Sequence, residues 1–217
     1  MYKLVIFDLD GTLLNTLDDL AAAGNYALAA LGYPTHPVSA YRNFIGNGMP
    51  NLVHRMLPKE HTEAQHSECY ALFQQYYSAH GADLTVPYDG MAQLVADLDG
   101  IGITCCVNTN KDHVFAQQLI ERFFGSHIKA VIGRSDKFPL KPSPEAALEL
   151  CRRFNADRAA AIYVGDSDVD IRTAAAAGID SCAVLWGFRS RDELNGFSPT
   201  HFSENCSQLA EILTAQK

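Results

Sequence analysis

The chain has 217 residues, of which 47% are hydrophobic and 19% are charged, and its formal net charge is −8. This balance is typical of a globular protein and excludes a disordered or fibrous chain. Because the chain has no excess of positive charge, we expect neither nucleic acid nor an anionic membrane as a partner.

Five short segments rich in Val, Ile or Cys are predicted to be strands that are buried on both faces of a sheet. In chain order they cover residues 3–7, 103–108, 129–133, 160–164 and 180–185. Helical patterns separate the last four, at residues 112–124, 143–154 and 170–177. We expect Ser143 to be the N-cap of the second of these helices and Gly178 to end the third. The alternation predicts an α/β fold with a Rossmann-like parallel sheet and helices on both faces.

The segment between the first two predicted strands is too long for a single crossover helix. Thr16 and Asp19 have the spacing of a capping box, and they open a helical pattern that Gly32 ends. Further helices are predicted at residues 49–57 and 63–80. We therefore expect an all-helical cap subdomain inserted into an α/β core. The predicted bounds are residues 1–15 and 88–217 for the core and residues 16–87 for the cap.

Two acidic residues, Asp8 and Asp10, come directly after the first predicted strand. Side chains two positions apart share one side of a strand, and the carboxyl end of an open α/β sheet is where ligands bind. Carboxylates held together repel each other unless a cation or a proton lies between them, and Mg²⁺ suits such oxygen ligands. The alternative is a plain polar turn built on Asp10 and Gly11.

A second acidic group follows the fourth predicted strand. Asp166 lies in a glycine turn before a helix, and Asp168 and Asp170 follow it closely. The last two could instead serve only as favourable charges at the helix N-terminus. Asp166 is harder to explain in that way, because it precedes the helix.

Two further strand ends carry groups that suit a phosphate. Thr109 and the backbone N–H groups after it, beginning with Asn110, could form an anion cradle at a helix start, or could only cap that helix. Lys141 precedes Pro142 and a helix at the same edge of the sheet, although a lone lysine is usually a solvated surface charge. The four strand ends taken together favour phosphate chemistry.

These motifs resemble the haloacid dehalogenase superfamily of phosphohydrolases. The likeness lies in the segments Asp8-Leu9-Asp10-Gly11-Thr12, Thr109, Lys141-Pro142 and GDSDVD at 165–170, and it includes the helical insertion. The resemblance implies that Asp8 is a nucleophile that becomes an aspartyl-phosphate. It implies that Asp10 is the general acid and base.

The resemblance also implies how the phosphate and a cofactor are held. Thr109, Asn110 and Lys141 are expected to bind the phosphoryl group, with Thr109 and Lys141 part of the catalytic set. The expected cofactor is Mg²⁺. Its implied ligands are the Asp8 carboxylate, the Asp10 backbone carbonyl and Asp166, with Asp170 supporting the site directly or through water.

Within the superfamily, the sequence is most similar to the phosphoglycolate phosphatases. The cap segment Gly46-Asn47-Gly48 resembles a glycine loop of that group, which implies that Gly46, Asn47 and Gly48 bind substrate, since glycine lets the backbone approach closely. A simple turn between helices is the alternative. The expected partner is a small phosphorylated metabolite of the phosphoglycolate kind, hydrolysed as a phosphate monoester.

Other activities are compatible with the same catalytic motifs. A phosphomutase of the β-phosphoglucomutase type is one, although such relatives usually carry a basic, serine-containing cap loop. A pyrophosphate or nucleotide phosphohydrolase is another. Dehalogenase relatives typically lack the second aspartate, so Asp10 argues against that activity. A regulatory phosphosugar sensor would be expected to lack a catalytic group, and all of them are present.

We expect a cytoplasmic protein that is a monomer or a homodimer. The apolar run at residues 4–7 is too short for the core of a signal peptide. The six cysteines include no C-x-x-C pair, which favours a reducing compartment over a disulfide framework.

Overall fold

The computed structural model describes residues 1–46 and 48–216. The chain divides into two compact units, which we call the sheet unit and the helical unit. The sheet unit comprises Met1–Leu14 and Pro87–Lys217, and the helical unit comprises Asn15–Val86. The chain passes between them twice, through β2 (Leu14–Asn15) and β3 (Val86–Pro87), which pair as a two-stranded sheet.

The sheet unit is built on six parallel strands in the order β5-β4-β1-β6-β7-β8. Their bounds are β1 (Leu4–Phe7), β4 (Thr104–Asp112), β5 (Ile128–Arg134), β6 (Ala161–Gly165), β7 (Asp180–Val184) and β8 (His201–Ser203). Every residue of the neighbouring strands β1 and β6 is buried, as expected for the centre of a parallel sheet. The predicted α/β class is confirmed, and β8 is a strand that the sequence did not predict.

Six helices flank this sheet among the described residues. They are α5 (Met91–Gly100), α6 (His113–Phe124), α7 (Glu145–Arg153), α8 (Asp168–Ala177), α9 (Arg191–Asn195) and α10 (Cys206–Thr214). Helices α7 and α8 share one core cluster with the alternate β1 residues Leu4 and Ile6 and with Cys106. Helices α5 and α6 pack against β4 and against each other.

Strand β4 ends four residues later than predicted, and its end is irregular. Asn108 pairs with Ile132 and Asp112 pairs with Arg134, so that three residues of β4 (109 to 111) lie opposite one residue of β5 (133). The extra residues form a bulge, a feature that often re-aims side chains beside an active site.

Two predictions about helix starts in the sheet unit need correction. Ser143 is not an N-cap, because α7 begins at Glu145 and Pro144 occupies the cap position without a side-chain bond. Helix α8 begins at Asp168 rather than at Asp170, with Ser167 as its N-cap. It ends, as predicted, at Gly178, whose φ of 67° is in the left-handed region that favours glycine.

The helical unit contains helices α1–α4. Their bounds are α1 (Leu17–Ala30), α2 (Tyr41–Phe44), α3 (Met49–Met56) and α4 (Glu63–His80). The capping box predicted at the start of α1 is wrong, because Thr16 makes no side-chain cap and Asp19 is bonded elsewhere. Asp19 accepts hydrogen bonds from Leu84 and Thr85, so it ties α1 to the segment that leads into β3.

Among the described residues, none of the helices combines the length and apolar character needed to cross a bilayer. The six cysteines are unpaired, and Cys105 and Cys106 are buried core residues as predicted. The cytoplasmic location and the oligomeric state stay predictions.

Candidate active site

Three carboxylates meet where strands β1 and β6 end. These strands are neighbours, with Phe7 paired to Val164, so Asp8 and Asp166 follow them at the same edge of the sheet. Asp170 comes from the first turn of α8. One oxygen from each of the three side chains lies within 4.8 Å of the others, and all three residues are buried.

Lys141 supplies positive charge to this carboxylate cluster from the segment between β5 and α7. Its Nζ lies 2.8 Å from Asp8 Oδ1 and 2.7 Å from Asp170 Oδ1. The other Asp170 oxygen accepts hydrogen bonds from the Ser167 N–H at 3.1 Å and the Ser167 hydroxyl at 2.6 Å. Asp170 therefore both takes part in the cap of α8 and pairs with the lysine, a contact that the sequence did not predict.

The cluster carries more negative charge than its lysine can balance. Burial raises the pKa of the Asp8 carboxyl to about 7, and the Asp170 charge adds to this effect, while Lys141 acts in the opposite direction. Burial, followed by the charges of Asp170 and Asp8, raises the pKa of Asp166 well above its ordinary value. Burial alone would lower the pKa of Lys141, but Asp170 and Asp8 outweigh it and raise that pKa. An additional cation would relieve this crowding.

The residues present fit a magnesium ion. The three side chains offer only oxygen donors, which hard divalent cations prefer. Three glycines leave space beside them: a Cβ atom at Gly11 or Gly187 would collide with Asp166, and one at Gly165 would collide with Asp170. The glycine backbones thus lie directly against the carboxylate side chains, at positions where any other residue would collide with them.

Asp10 belongs to a separate, partly buried ion pair. Lys111 Nζ lies 2.8 Å from Asp10 Oδ1, and the lysine and aspartate side chains are 1% and 20% exposed. Asp8 and Asp10 are thus paired with two different lysines, Lys141 and Lys111. The Asp10 carboxylate is not one of the three clustered groups, and the predicted role of its backbone carbonyl as a ligand stays a prediction.

The structure corrects the prediction of a helix-start cradle at Thr109. Thr109 and Lys111 lie in the bulge of β4, and α6 begins later, at His113, with Asp112 as its N-cap. The Thr109 hydroxyl accepts a hydrogen bond from the Lys111 N–H at 3.2 Å. Thr109 is nevertheless buried at the same edge of the sheet, because β4 pairs with β1.

The side-chain amide of Asn110 both accepts a hydrogen bond from the backbone of Lys141 and donates one to it. Its Oδ1 accepts from the Lys141 N–H at 2.8 Å, and its Nδ2 donates to the Lys141 carbonyl at 3.2 Å. The amide side chain therefore positions Lys141. The predicted contact between Asn110 and a phosphate rests on its backbone N–H.

The sequence matches a family model over most of its length. The model described as haloacid dehalogenase-like hydrolase matches residues 5–184. The chain belongs to this family.

Relatives within the family are similar over almost the whole chain. The phosphoglycolate phosphatase of Vibrio parahaemolyticus is 31% identical over 97% of this chain and 96% of its own length. That of Psychrobacter arcticus is 32% identical over 97% of this chain and 95% of its own length. A crystal structure from Lactobacillus delbrueckii subsp. bulgaricus, of a protein assigned as a phosphoglycolate phosphatase, superposes with a TM-score of 0.94 at 29% identity and covers 99% of both chains. The predicted enzyme class, a phosphatase that hydrolyses phosphoric monoesters, is confirmed.

The glycine loop proposed for substrate binding lies in the helical unit. Gly46 and Gly48 have φ angles of 124° and 87°, which few other residues adopt. The Gly46 carbonyl accepts a hydrogen bond from Arg55 at 3.0 Å. Asn47 lies outside the described residues. The substrate contacts of all three stay a prediction.

The sequence interpretation missed several residues that build this site of a haloacid dehalogenase-like hydrolase. Lys111 was not among the predicted site residues, although its ammonium group pairs with Asp10. Phe188 donates its backbone N–H to Asp166 Oδ2 at 2.7 Å, beside Gly187. The buried Tyr163 hydroxyl donates to the Asn108 carbonyl at 2.7 Å, and its ring lies 5.7 Å from Lys141 Nζ. A tyrosine within an otherwise aliphatic strand was the one sequence signal for this last contact.

Proposed function

We propose that the protein is a magnesium-dependent phosphatase that hydrolyses a small phosphate monoester of the phosphoglycolate kind through a phosphorylated Asp8. The observation that carries this proposal is the buried cluster of Asp8, Asp166 and Asp170 around Lys141, beside a second ion pair that holds Asp10. The names of the most similar relatives support the choice of substrate.

In the proposed first step, an Asp8 carboxylate oxygen attacks phosphorus, and the bond from phosphorus to the leaving oxygen breaks. Asp8 Oδ1 accepts from the Leu9 N–H at 2.7 Å and contacts Lys141, which fixes the carboxylate. Within the described part of the chain, Oδ2 has no hydrogen-bond donor, so it is suited to attack. Protonated Asp10 gives its proton to the leaving alkoxide, and the alcohol departs.

In the second step, a water molecule attacks the phosphorus of the aspartyl-phosphate. Asp10, now a carboxylate, takes a proton from that water, the acyl phosphate bond breaks and inorganic phosphate is released. Asp8 and protonated Asp10 are thereby regenerated. Dividing the displacement into two steps lets one carboxylate serve as nucleophile and the other as acid and then base.

The phosphoryl group is proposed to lie against Lys141, the Thr109 hydroxyl and the backbone N–H of Asn110. These groups balance the charge on the equatorial oxygens. Asp8, Asp166 and the Asp10 carbonyl would hold magnesium, with Asp170 supporting them directly or through water. When bound, the ion supplies positive charge that reduces repulsion between the anionic nucleophile and the anionic substrate.

The decisive experiment is to trap the intermediate. Acid quenching during turnover of a ³²P-labelled monoester with Mg²⁺ should leave label on the peptide that contains Asp8. The label should be released by alkali, and it should be absent after EDTA treatment and restored by added Mg²⁺. A protein that turns over the substrate without labelling this peptide would refute the aspartyl-phosphate.

The substrate requires a separate measurement. We expect kcat/KM to be highest for phosphoglycolate in a panel that also contains glycerol phosphate, sugar phosphates, nucleotides and pyrophosphate. Conversion of glucose 1-phosphate into glucose 6-phosphate, with little release of phosphate, would instead assign a mutase. A preference for nucleotides or pyrophosphate would refute the substrate class and leave the chemistry of Asp8 intact.

A further inference from the structure

Three histidines lie together in the helical unit, and none of them belongs to a motif used above. His54 is in the last turn of α3, His61 is in the α3–α4 connection and His66 is in the first turn of α4. Their ring centroids are 4.6 Å apart for His54 and His61, 6.1 Å for His54 and His66, and 6.0 Å for His61 and His66. We call these residues the histidine cluster.

Backbone carbonyls determine which nitrogens of two of these rings carry hydrogen. His61 Nδ1 lies 2.7 Å from the Pro58 carbonyl, and His66 Nε2 lies 3.0 Å from the Pro50 carbonyl. A carbonyl can only accept, so both of these nitrogens donate. In the neutral rings, His61 Nε2 and His66 Nδ1 therefore keep their lone pairs. Metal-binding histidines are usually oriented in this way, by donating the other ring N–H to a carbonyl or carboxylate.

The lone pair of His61 faces another imidazole. His61 Nε2 lies 3.0 Å from His54 Nδ1, so without a metal His54 must donate a proton to it. A cation between the two nitrogens would take the place of that proton, which would move to His54 Nε2. The His54 side chain is exposed, so this change of tautomer requires no burial of charge.

A carboxylate completes the donor set. Glu63 Oε1 lies 3.9 Å from His66 Nδ1, and its side chain is 93% exposed. The ring of His66 also lies nearly parallel to that of Tyr70, with 6.3 Å between the centroids and 11° between the planes. Three imidazoles and one carboxylate form a donor set that zinc and similar divalent transition cations favour over magnesium.

We propose that the histidine cluster, together with Glu63, is a binding site for a divalent transition cation of the zinc class. The potential donor atoms are not all within 4.8 Å of one another. Binding therefore requires rotation of the exposed His54 and Glu63 side chains toward the two rings that the carbonyls orient. The bound ion would link α3, the connection after it and α4.

The test uses the full chain after chelator treatment, titrated with Co²⁺ in the presence of excess Mg²⁺. We expect about one equivalent of Co²⁺ with the visible absorption of a tetrahedral nitrogen-rich site, displaced by Zn²⁺. His54→Ala and His61→Ala should each weaken binding by about 10-fold or more. The thermal midpoint of the wild type should also rise with Zn²⁺, and this rise should be lost in the two variants.

Two matched variants separate this site from other sites. His80→Ala removes an exposed histidine of α4 that pairs with Asp83, and it should leave binding unchanged. Asp166→Asn disrupts the carboxylate cluster of the sheet unit, and it should also retain the equivalent. The proposal would be overturned if the wild type bound no Co²⁺ under these conditions. It would also be overturned if His54→Ala and His61→Ala both kept the bound Co²⁺, or if Asp166→Asn lost it.

Discussion

Asp19 in the helical unit and Asp8 in the sheet unit are both buried carboxylates, but their surroundings differ. Asp19 is 3% exposed and accepts from the Leu84 N–H at 3.0 and 3.1 Å, and from the Thr85 N–H and hydroxyl at 2.7 Å each. Its position in the first turn of α1 adds the favourable helix dipole. Asp8 instead shares one lysine with Asp170 and is crowded by like charge.

The difference separates a structural carboxylate from the one that we propose to be the nucleophile. Asp19 is stabilised by donors from its own unit, so its charge holds two segments together. The cluster around Asp8 has too little positive charge to balance its carboxylates. This imbalance lowers the stability of the fold, but it favours binding of a cation. Sites of this kind commonly exchange stability for activity. The predictions below test this contrast.

The largest effect is expected from Asp8→Asn. Turnover should fall by about 10⁴-fold or more, because the nucleophile is lost. In the absence of Mg²⁺, the free energy of unfolding should rise by about 1 kcal/mol or more, because one of three crowded charges is removed. Steady-state kinetics and urea unfolding measure the two quantities. Asp168→Asn is the matched control, since Asp168 pairs with Arg172 on the surface of α8. Activity near that of the wild type in Asp8→Asn would refute its role.

Lys111→Met should have the next largest effect, because it removes the side chain that holds the Asp10 carboxyl group in place at 2.8 Å. We expect kcat to fall by about 100-fold for an alkyl phosphate, whose leaving group needs a proton. The loss should be much smaller for p-nitrophenyl phosphate, whose leaving group needs little help. Equal losses for both substrates would indicate that Lys111 only supports the fold. If the positive charge of Lys111 is what matters, Lys111→Arg should retain more activity on the alkyl phosphate than Lys111→Met does.

Asp19→Asn tests the opposite half of the comparison. The new amide brings hydrogen atoms toward N–H donors, so the free energy of unfolding should fall by about 1–3 kcal/mol. Urea denaturation of the variant and of Asp18→Asn, which changes an exposed neighbour, gives the comparison. The activity of the folded fraction should remain close to that of the wild type. A more stable Asp19→Asn protein would show that Asp19, too, is a strained charge.

The smallest effect is expected from Thr16→Val. The Thr16 hydroxyl is buried and has no hydrogen-bond partner in the part of the chain that the structure describes. Replacing it with a methyl group of similar shape should therefore change the free energy of unfolding by less than about 0.5 kcal/mol, or raise it slightly. Thermal and urea unfolding against wild type measure this, and a loss above about 1 kcal/mol would mean that the hydroxyl has a partner after all.

Patterns confined to neighbouring residues were sufficient for much of the fold. The strands around Asp8 and Asp166 were predicted from short apolar runs, because strands buried on both faces need little else. Helix α4 was predicted with its bounds at 63 and 80, and its capping box at Thr62 is present. Helix α5 was not predicted, although Met91, Leu94 and Leu98 have helical spacing.

Contacts between distant residues were the part that the sequence could not supply. Asp19 has the spacing of a capping box, yet its donors come from residues 84 and 85. Lys111 and Asp10 are separated by 101 positions, and only the pairing of β4 with β1 brings them together. Asn110 suggested a ligand contact, and its side chain proved to bind a backbone 31 positions away. Local spacing gives the type of group at a strand end, while the partner depends on the packed sheet.

The bulge of β4 has a consequence for how this enzyme could be altered. Its two surplus residues lie between the paired positions Asn108 and Asp112, so β4 pairs with β5 both before and after them. Excising both would let the strand run regularly into α6, and the sheet could close without them. Thr109 and Lys111 would then be lost or turned away together. In the proposed mechanism, the length of the backbone here therefore matters for catalysis as much as the identity of its side chains.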